Sequence, residues 1–261
     1  MLLLEIILAT TLVSSIAFAG IFFLSQNFNP QQHDALLKNI ISLAAGALLG
    51  VSFTDLLPEA ISGSSDPGHI KNIFLVVLLS LLAFFILEKY WHWHHCLCLD
   101  DHMAEEPGRS KKNIIYTNLI GDGIHNMIDG FLIATTFMLN FKLGMITTFV
   151  VILHEIPQEI SDFGILIYAG LTRTQALLYN VLFALTSIIG GIVFYFFVRS
   201  FAMSIPYMAA FSAGNFIYLA VADLIPELHH EKNPWRVLAH TSWLIVGVAI
   251  IFILNALHSE A

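Results

Sequence analysis

Charged side chains are scarce in this sequence. Asp, Glu, Lys and Arg make up 11% of its 261 residues, against roughly 25% in an ordinary soluble domain. Cysteine is scarcer still, and two residues cannot build a disulfide scaffold. A formal net charge of -8 offers no basic surface to nucleic acid. The 57% hydrophobic content excludes an intrinsically disordered chain. What the sequence has in abundance is apolar runs of about 20 residues, the length a helix needs to cross a hydrocarbon core. It therefore reads as an all-α integral membrane protein, one polytopic domain over residues 1–261.

Polar or Gly/Pro-containing breaks predict eight transmembrane helices, at 2–24, 35–61, 71–92, 113–138, 142–169, 174–199, 206–229 and 236–257. Ala17-Phe18-Ala19 resembles a signal-peptide cleavage site, but no basic region precedes it and Glu5 is the only early charge, so the first run is expected to stay as a helix. With both termini outside, Lys38, Lys89, Arg109, Lys111, Lys112, Arg173, Lys232 and Arg236 fall at cytoplasmic ends, and only Lys71, Lys142 and Arg199 fall outside. That asymmetry follows the positive-inside rule. Residues 93–112 then form the longest connection, a cytoplasmic loop between the third and fourth spans. Two segments repeat: Ala45-Gly46 leads to Asp55-Leu56-Leu57-Pro58-Glu59, and Ala213-Gly214 leads at the same spacing to Asp223-Leu224-Ile225-Pro226-Glu227. They lie in spans of opposite direction, which predicts an inverted repeat in a 3+2+3 arrangement, an architecture suited to alternating access.

The most informative residues are those a bilayer should reject. Asp122, His125, Asn126 and Asp129 stand at i, i+3, i+4 and i+7 and share one helix face. In the following span His154, Gln158 and Asp162 recur every four residues, flanked by Glu155 and Glu159. Ionisable groups at this depth cost several kcal/mol unless paired or hydrated, so their presence points to function. A set of imidazoles, carboxylates and carboxamides without thiolate suits a divalent cation such as zinc, iron, manganese or cadmium, and argues against Cu(I). The His125/Asp129 and His154/Gln158 spacings let each helix supply two ligands to one ion. Pro157 frees the carbonyl of Leu153 beside this stripe and bends its helix. Gly121, Gly123 and Gly130 are expected to let the two polar helices approach closely.

These residues resemble the ZIP family of zinc- and iron-regulated metal transporters. The resemblance rests on His125-Asn126-Met127-Ile128-Asp129-Gly130 and on His154-Glu155-Ile156-Pro157-Gln158-Glu159-Ile160-Ser161-Asp162-Phe163. It implies passage of divalent metal toward the cytoplasm through a site between the fourth and fifth spans. It also implies a first metal position using His125, Asp129, His154 and Gln158, and a second using Asn126, Asp129 and Glu155 with Gln158 bridging. Two departures matter: family members carry His or Glu where this chain has Gln158, and members with a well-developed second position often carry a Glu in the sixth span, where this chain has Ser187. A neutral carboxamide binds zinc less tightly than imidazole or carboxylate and tolerates harder ions. One strong site and at most one weak site are expected, and weak holding serves release.

Other polar groups extend the reading. His92, His94, His95, Cys96 and Cys98 could capture metal in the cytoplasmic loop. Asp122, Glu159 and Asp162, with Asp55 and Glu59 at the outer end of the second span and Asp223, Glu227, His229 and His230 at the inner end of the seventh, could line the metal's path. The expected partners are divalent metal ions as transported substrate, the lipid bilayer and a second copy of the chain in a homodimer. No organic cofactor and no nucleic acid are expected. The short termini suggest a bacterial inner membrane. Two alternatives stand beside transport. One is a membrane metal sensor or scaffold. The other is an intramembrane zinc metalloprotease, which Gln158 disfavours because it replaces the second His of the H-E-x-x-H signature.

Overall fold

The computed structural model describes residues 1–26, 30–62, 66–96, 107–199, 205–229 and 231–259, and every regular element among them is helical. In chain order these are α1 (Leu2–Gln26), α2 (Pro30–Val51), α3 (Leu57–Ser62), α4 (Pro67–Cys96), α5 (Pro107–Leu139), α6 (Phe141–Tyr168), α7 (Arg173–Ala184), α8 (Thr186–Arg199), α9 (Ile205–Tyr218), α10 (Ile225–Leu228) and α11 (Pro234–Ser259). A π-helical turn, Ser52–Leu56, joins α2 to α3, and another, Leu219–Leu224, joins α9 to α10.

Local chemistry explains where these elements begin and end. Prolines open α2, α4, α5 and α11, where a missing amide proton costs nothing. The Asn140 side chain caps α6 by accepting from the amide of Leu143 at 2.8 Å. α6 ends at Gly170, whose φ of +100° suits a residue without Cβ, with Leu171 N donating to Leu166 O and Gly170 N to Ile167 O. Thr172 and Gln175 then form a reciprocal capping box on α7. Both π-helical turns lie just before the proline of an Asp-Leu-x-Pro-Glu segment, where the ring removes an amide donor and the hydrogen-bond ladder must re-register.

Among the described residues six helical stretches are long and apolar enough to cross a membrane: Ala35–Ser62, Pro67–Leu87, Phe141–Tyr168, Arg173–Phe197, Ile205–Leu228 and Pro234–Ala256. The protein is thus an all-helical membrane protein. The expected first and fourth spans are helical too. α1 contributes a shorter apolar stretch, Leu2–Ile16, and α5 carries the polar stripe, which lowers its hydropathy. The 93–112 loop is shorter than expected, because α4 extends through Cys96 and α5 begins at Pro107.

The packing sorts the helices. α2 lies along α11, α4 along α9, α5 along α8 and α6, and α1 along α6 and α8. In the Phe141–Tyr168 stretch 67% of the most apolar window is buried, against 17% for Pro67–Leu87 and Pro234–Ala256. α6 is therefore interior, while α4 and α11 turn Leu, Ile and Phe side chains outward. α1 is built into the core through Ile6, Ala9 and Val13, and Ser14 reaches Ser187 of α8 at 3.1 Å. Glycine permits the closest approaches. A Cβ on Gly46 would stand 2.0 Å from the carbonyl oxygen of Leu244, and one on Gly130 would stand 1.8 Å from that of Ser187. The α5 glycines thus serve a different neighbour from the one expected: Gly123 and Gly130 face Phe183 of α7 and Ser187 of α8 rather than α6.

Candidate metal centre

Where α5 and α6 cross at mid-length, their polar faces meet. Ligand atoms of His125, Asp129, His154 and Glu155 all lie within 4.8 Å of one another. His154 Nε2 is 3.0 Å from Asp129 Oδ2 and 3.7 Å from Glu155 Oε1, while His125 Nε2 is 3.4 Å from Glu155 Oε1 and 3.8 Å from Asp129 Oδ2. Zinc bonds of about 2.0–2.2 Å to nitrogen and oxygen place tetrahedral ligands about 3.3–3.6 Å apart, in the same range as these spacings. With neutral imidazoles the two carboxylates carry a formal double negative charge, matched by one divalent cation.

The clustered side chains are held from behind. His154 Nδ1 lies 3.3 Å from Val150 O. A carbonyl can only accept, so this contact suits a proton on Nδ1; Nε2, 3.0 Å from the Asp129 carboxylate, is then the nitrogen that would ligate an ion in place of that contact. The His125 and His154 rings meet edge to face, with centroids 5.7 Å apart. Asp129, His154 and Glu155 are buried, whereas a quarter of the His125 side chain is accessible. The reason lies beside it. A cavity of about 670 Å³ runs past His125, Pro157, Gln158 and Asp162 to Lys38, Asp223 and Glu227. A second cavity joins His125 and Gly121 to Asn215 and Asp223.

The remaining predicted residues fall into distinct places. Gln158 lines the larger cavity next to His125, and Glu155 stands among the four clustered ligands. Asn126 points away from Asp129. Its amide donates to Asp122 Oδ1 at 2.7 Å and to Asp122 O at 3.2 Å. Glu159 is buried one turn beyond Glu155, and Asp162 accepts from the Asn118 amide. Ser187 is turned toward α1, bonded to Ser14 and to Ala184 O. Asp55 accepts from Thr54 Oγ1 and Asn255 Nδ2, each at 2.7 Å, and Glu59 and His229 are exposed. The side chains of His92, His94, His95 and Cys96, together with Cys98 and His230, lie outside the described residues.

Two polar residues at the α5–α6–α7 contact, half-buried Asn118 and buried Asn180, are not marked by the sequence reading. Asn118 extends the α5 stripe by one more i, i+4 step, a signal that spacing contained. Asn180 of α7 donates to Glu159 O at 3.1 Å and stands alone in its helix, with no periodic pattern to mark it.

Comparison with known proteins agrees with this geometry. The family described as ZIP Zinc transporter matches residues 2–113 and 92–255. The chain is 31% identical over 238 residues to zinc transporter ZIP13 of Pongo abelii, covering 84% of this chain and 67% of that one. It is 30% identical to the Homo sapiens ZIP13 protein, covering 84% of this chain and 71% of that one. It is 26% identical to zinc transporter SLC39A7 of Rattus norvegicus, covering 94% and 70%. These relatives are animal proteins and lend no support to a bacterial inner membrane.

Proposed function

Because the chain belongs to the ZIP zinc transporter family, we propose that it carries zinc toward the cytoplasm by exposing the His125–Asp129–His154–Glu155 centre alternately to the two sides of the membrane. As a member of a family of transporters it is not an enzyme, and the protease reading falls away. The observation that carries the proposal is the centre itself: four ligand atoms of zinc-compatible type and spacing, set between two helices, with one imidazole bordering a cavity that reaches Lys38, Asp223 and Glu227.

In this reading the chain crosses the bilayer eight times with both termini outside, and the 97–106 connection is cytoplasmic. Lys142 of α6 meets Asn255 of α11 beside Asp55, which fits one common outer end. Lys38 and Glu227 border the larger cavity, which fits a common inner end. The packing favours two bodies. α2 with α11, in close contact at Gly46, and α9 with α4, in close contact at Gly214, form one group, held together where α2 meets the Leu219–Leu224 turn and α9 meets the Ser52–Leu56 turn. α1, α5, α6, α7 and α8 form the other, joined through Gly130 and Gly190. The metal centre belongs to the second group alone, so movement of one group against the other carries the ion's ligands intact between two accesses. The Asp-Leu-x-Pro-Glu segments occupy matching π-helical turns in the first group, which supports an inverted repeat.

Gln158 at the cavity wall, in place of a charged or imidazole ligand, favours moderate affinity and admission of manganese or ferrous iron as well as zinc. The decisive assay is flux into liposomes containing purified protein. Zinc entering down its gradient, and its arrest by Asp129→Ala or His154→Ala, are the expected results. Undiminished flux in both variants would refute the site, and binding without flux would point to a sensor instead.

A further inference from the structure

One helical turn from the metal centre, about 5.4 Å along α5, a second polar cluster has a different chemistry. Asp122 and Asn126 project from α5, Glu159 projects from α6, and all three are at least nine-tenths buried. Asp122 stands one turn before His125 on α5 and Glu159 one turn after Glu155 on α6; His125 and Glu155 are 3.4 Å apart and the two helices run antiparallel, so both steps lead to the same side of the centre, where the Asn126 amide is already committed to Asp122. Both carboxylate oxygens of Glu159, Oδ2 of Asp122, Oδ1 of Asn126 and Oδ1 of the adjoining Asn180 lack a hydrogen-bond partner. Every one of these orphaned atoms is an acceptor. A buried set of acceptors with no matching donors is what a cation satisfies and what a structural hydrogen-bond network is built to avoid.

We propose that Asp122, Asn126 and Glu159 form an all-oxygen cation station between the metal centre and the Asn118–Asp162 pair. Two carboxylates and a carboxamide oxygen, without imidazole, favour harder divalent ions such as manganese over zinc. An ion leaving the imidazoles of the centre meets progressively weaker ligands for zinc, which keeps each step reversible. The relay role rests on the transport reading, whereas cation binding at the station does not.

The test is Mn²⁺ binding to the purified full-length protein, followed by electron paramagnetic resonance, in wild type, Glu159→Gln and Asp122→Asn. Each variant is expected to bind one Mn²⁺ fewer per chain, or that Mn²⁺ at least tenfold more weakly, while zinc binding at the centre persists. Neutralising a buried carboxylate that has an unsatisfied oxygen removes a desolvation cost, and the Asn in Asp122→Asn still offers an oxygen to the Asn126 amide, so neither variant should melt earlier than wild type. Unchanged Mn²⁺ binding in both variants overturns the proposal, as would a shared proton filling the station's role. Joint loss of manganese and zinc, or earlier melting of both variants, also overturns it, since the carboxylates would then be supports of the centre or the fold. Failure of the transport reading shows separately, as absence of zinc flux in wild-type vesicles.

Discussion

At the scale of single residues, the centre is a contest between ligand strength and release. Two imidazoles and two carboxylates within 4.8 Å form a competent zinc set, and Gln158 at the cavity wall adds only a neutral oxygen. Replacing Gln158 by His is expected to tighten zinc binding by about tenfold or more and to slow zinc flux, because an added imidazole favours zinc and opposes its departure. Competition with a chelator measures the affinity, and vesicle uptake measures the flux. Removing a carboxylate should act in the opposite sense. Glu155→Gln keeps the shape but removes half of the centre's formal charge, and should weaken zinc by at least about tenfold in the same competition assay. The i, i+3, i+4, i+7 pattern made His125 and Asp129 legible from sequence alone. The placing of Glu155 in the cluster was not legible. Glu155 and Gln158 both lie on the inward side of α6, and only its rotation against α5 decides which one closes the set.

At the scale of elements, the apolar runs are readable because lipid demands uninterrupted hydrophobic length: six of the predicted spans match membrane-length apolar helices among the described residues, and the other two coincide with the helices α1 and α5. The breaks were less readable. Pro58 and Pro226 signal disturbance, but a π-helical turn depends on how the ladder re-registers upstream. Likewise, glycines in α5 announced a close contact without naming the partner. For Gly130 that partner is α8, and the contact predicts a sharp contrast. Gly130→Ala would push a methyl group to 1.8 Å from Ser187 O and should destabilise the α5–α8 pair by about 1–3 kcal/mol, or more if the backbones cannot part. Gly164→Ala in α6 meets nothing within 4 Å and should be neutral or stabilising by about 0.4–1 kcal/mol. Thermal melting of the two variants in the same detergent distinguishes these outcomes.

At the scale of the whole molecule, the proposed transport reading assigns the two helix groups and the off-centre cavity to one state of an alternating cycle. His125 borders a space that reaches Lys38, Asp223 and Glu227, so the centre communicates with the end of the molecule from which α2 starts and at which α10 finishes. At the opposite end Asp55, Asn255 and Lys142 are tied together by hydrogen bonds. If the first end is cytoplasmic, the structure represents the inward-facing state, and Ser161, exposed on the cavity wall, reports it. With Cys96 and Cys98 replaced by Ser, a Ser161→Cys variant in oriented vesicles should react with a membrane-impermeant thiol reagent from the side that bears the 97–106 connection. Its reaction rate should fall in conditions that draw the centre toward the other side, because α6 moves with its ligands while α2 and the α9–α10 turn remain. Labelling only from the opposite side would reverse the assigned orientation. Labelling from both sides at once would mean a continuous channel, and would remove the reason for two rigid helix groups.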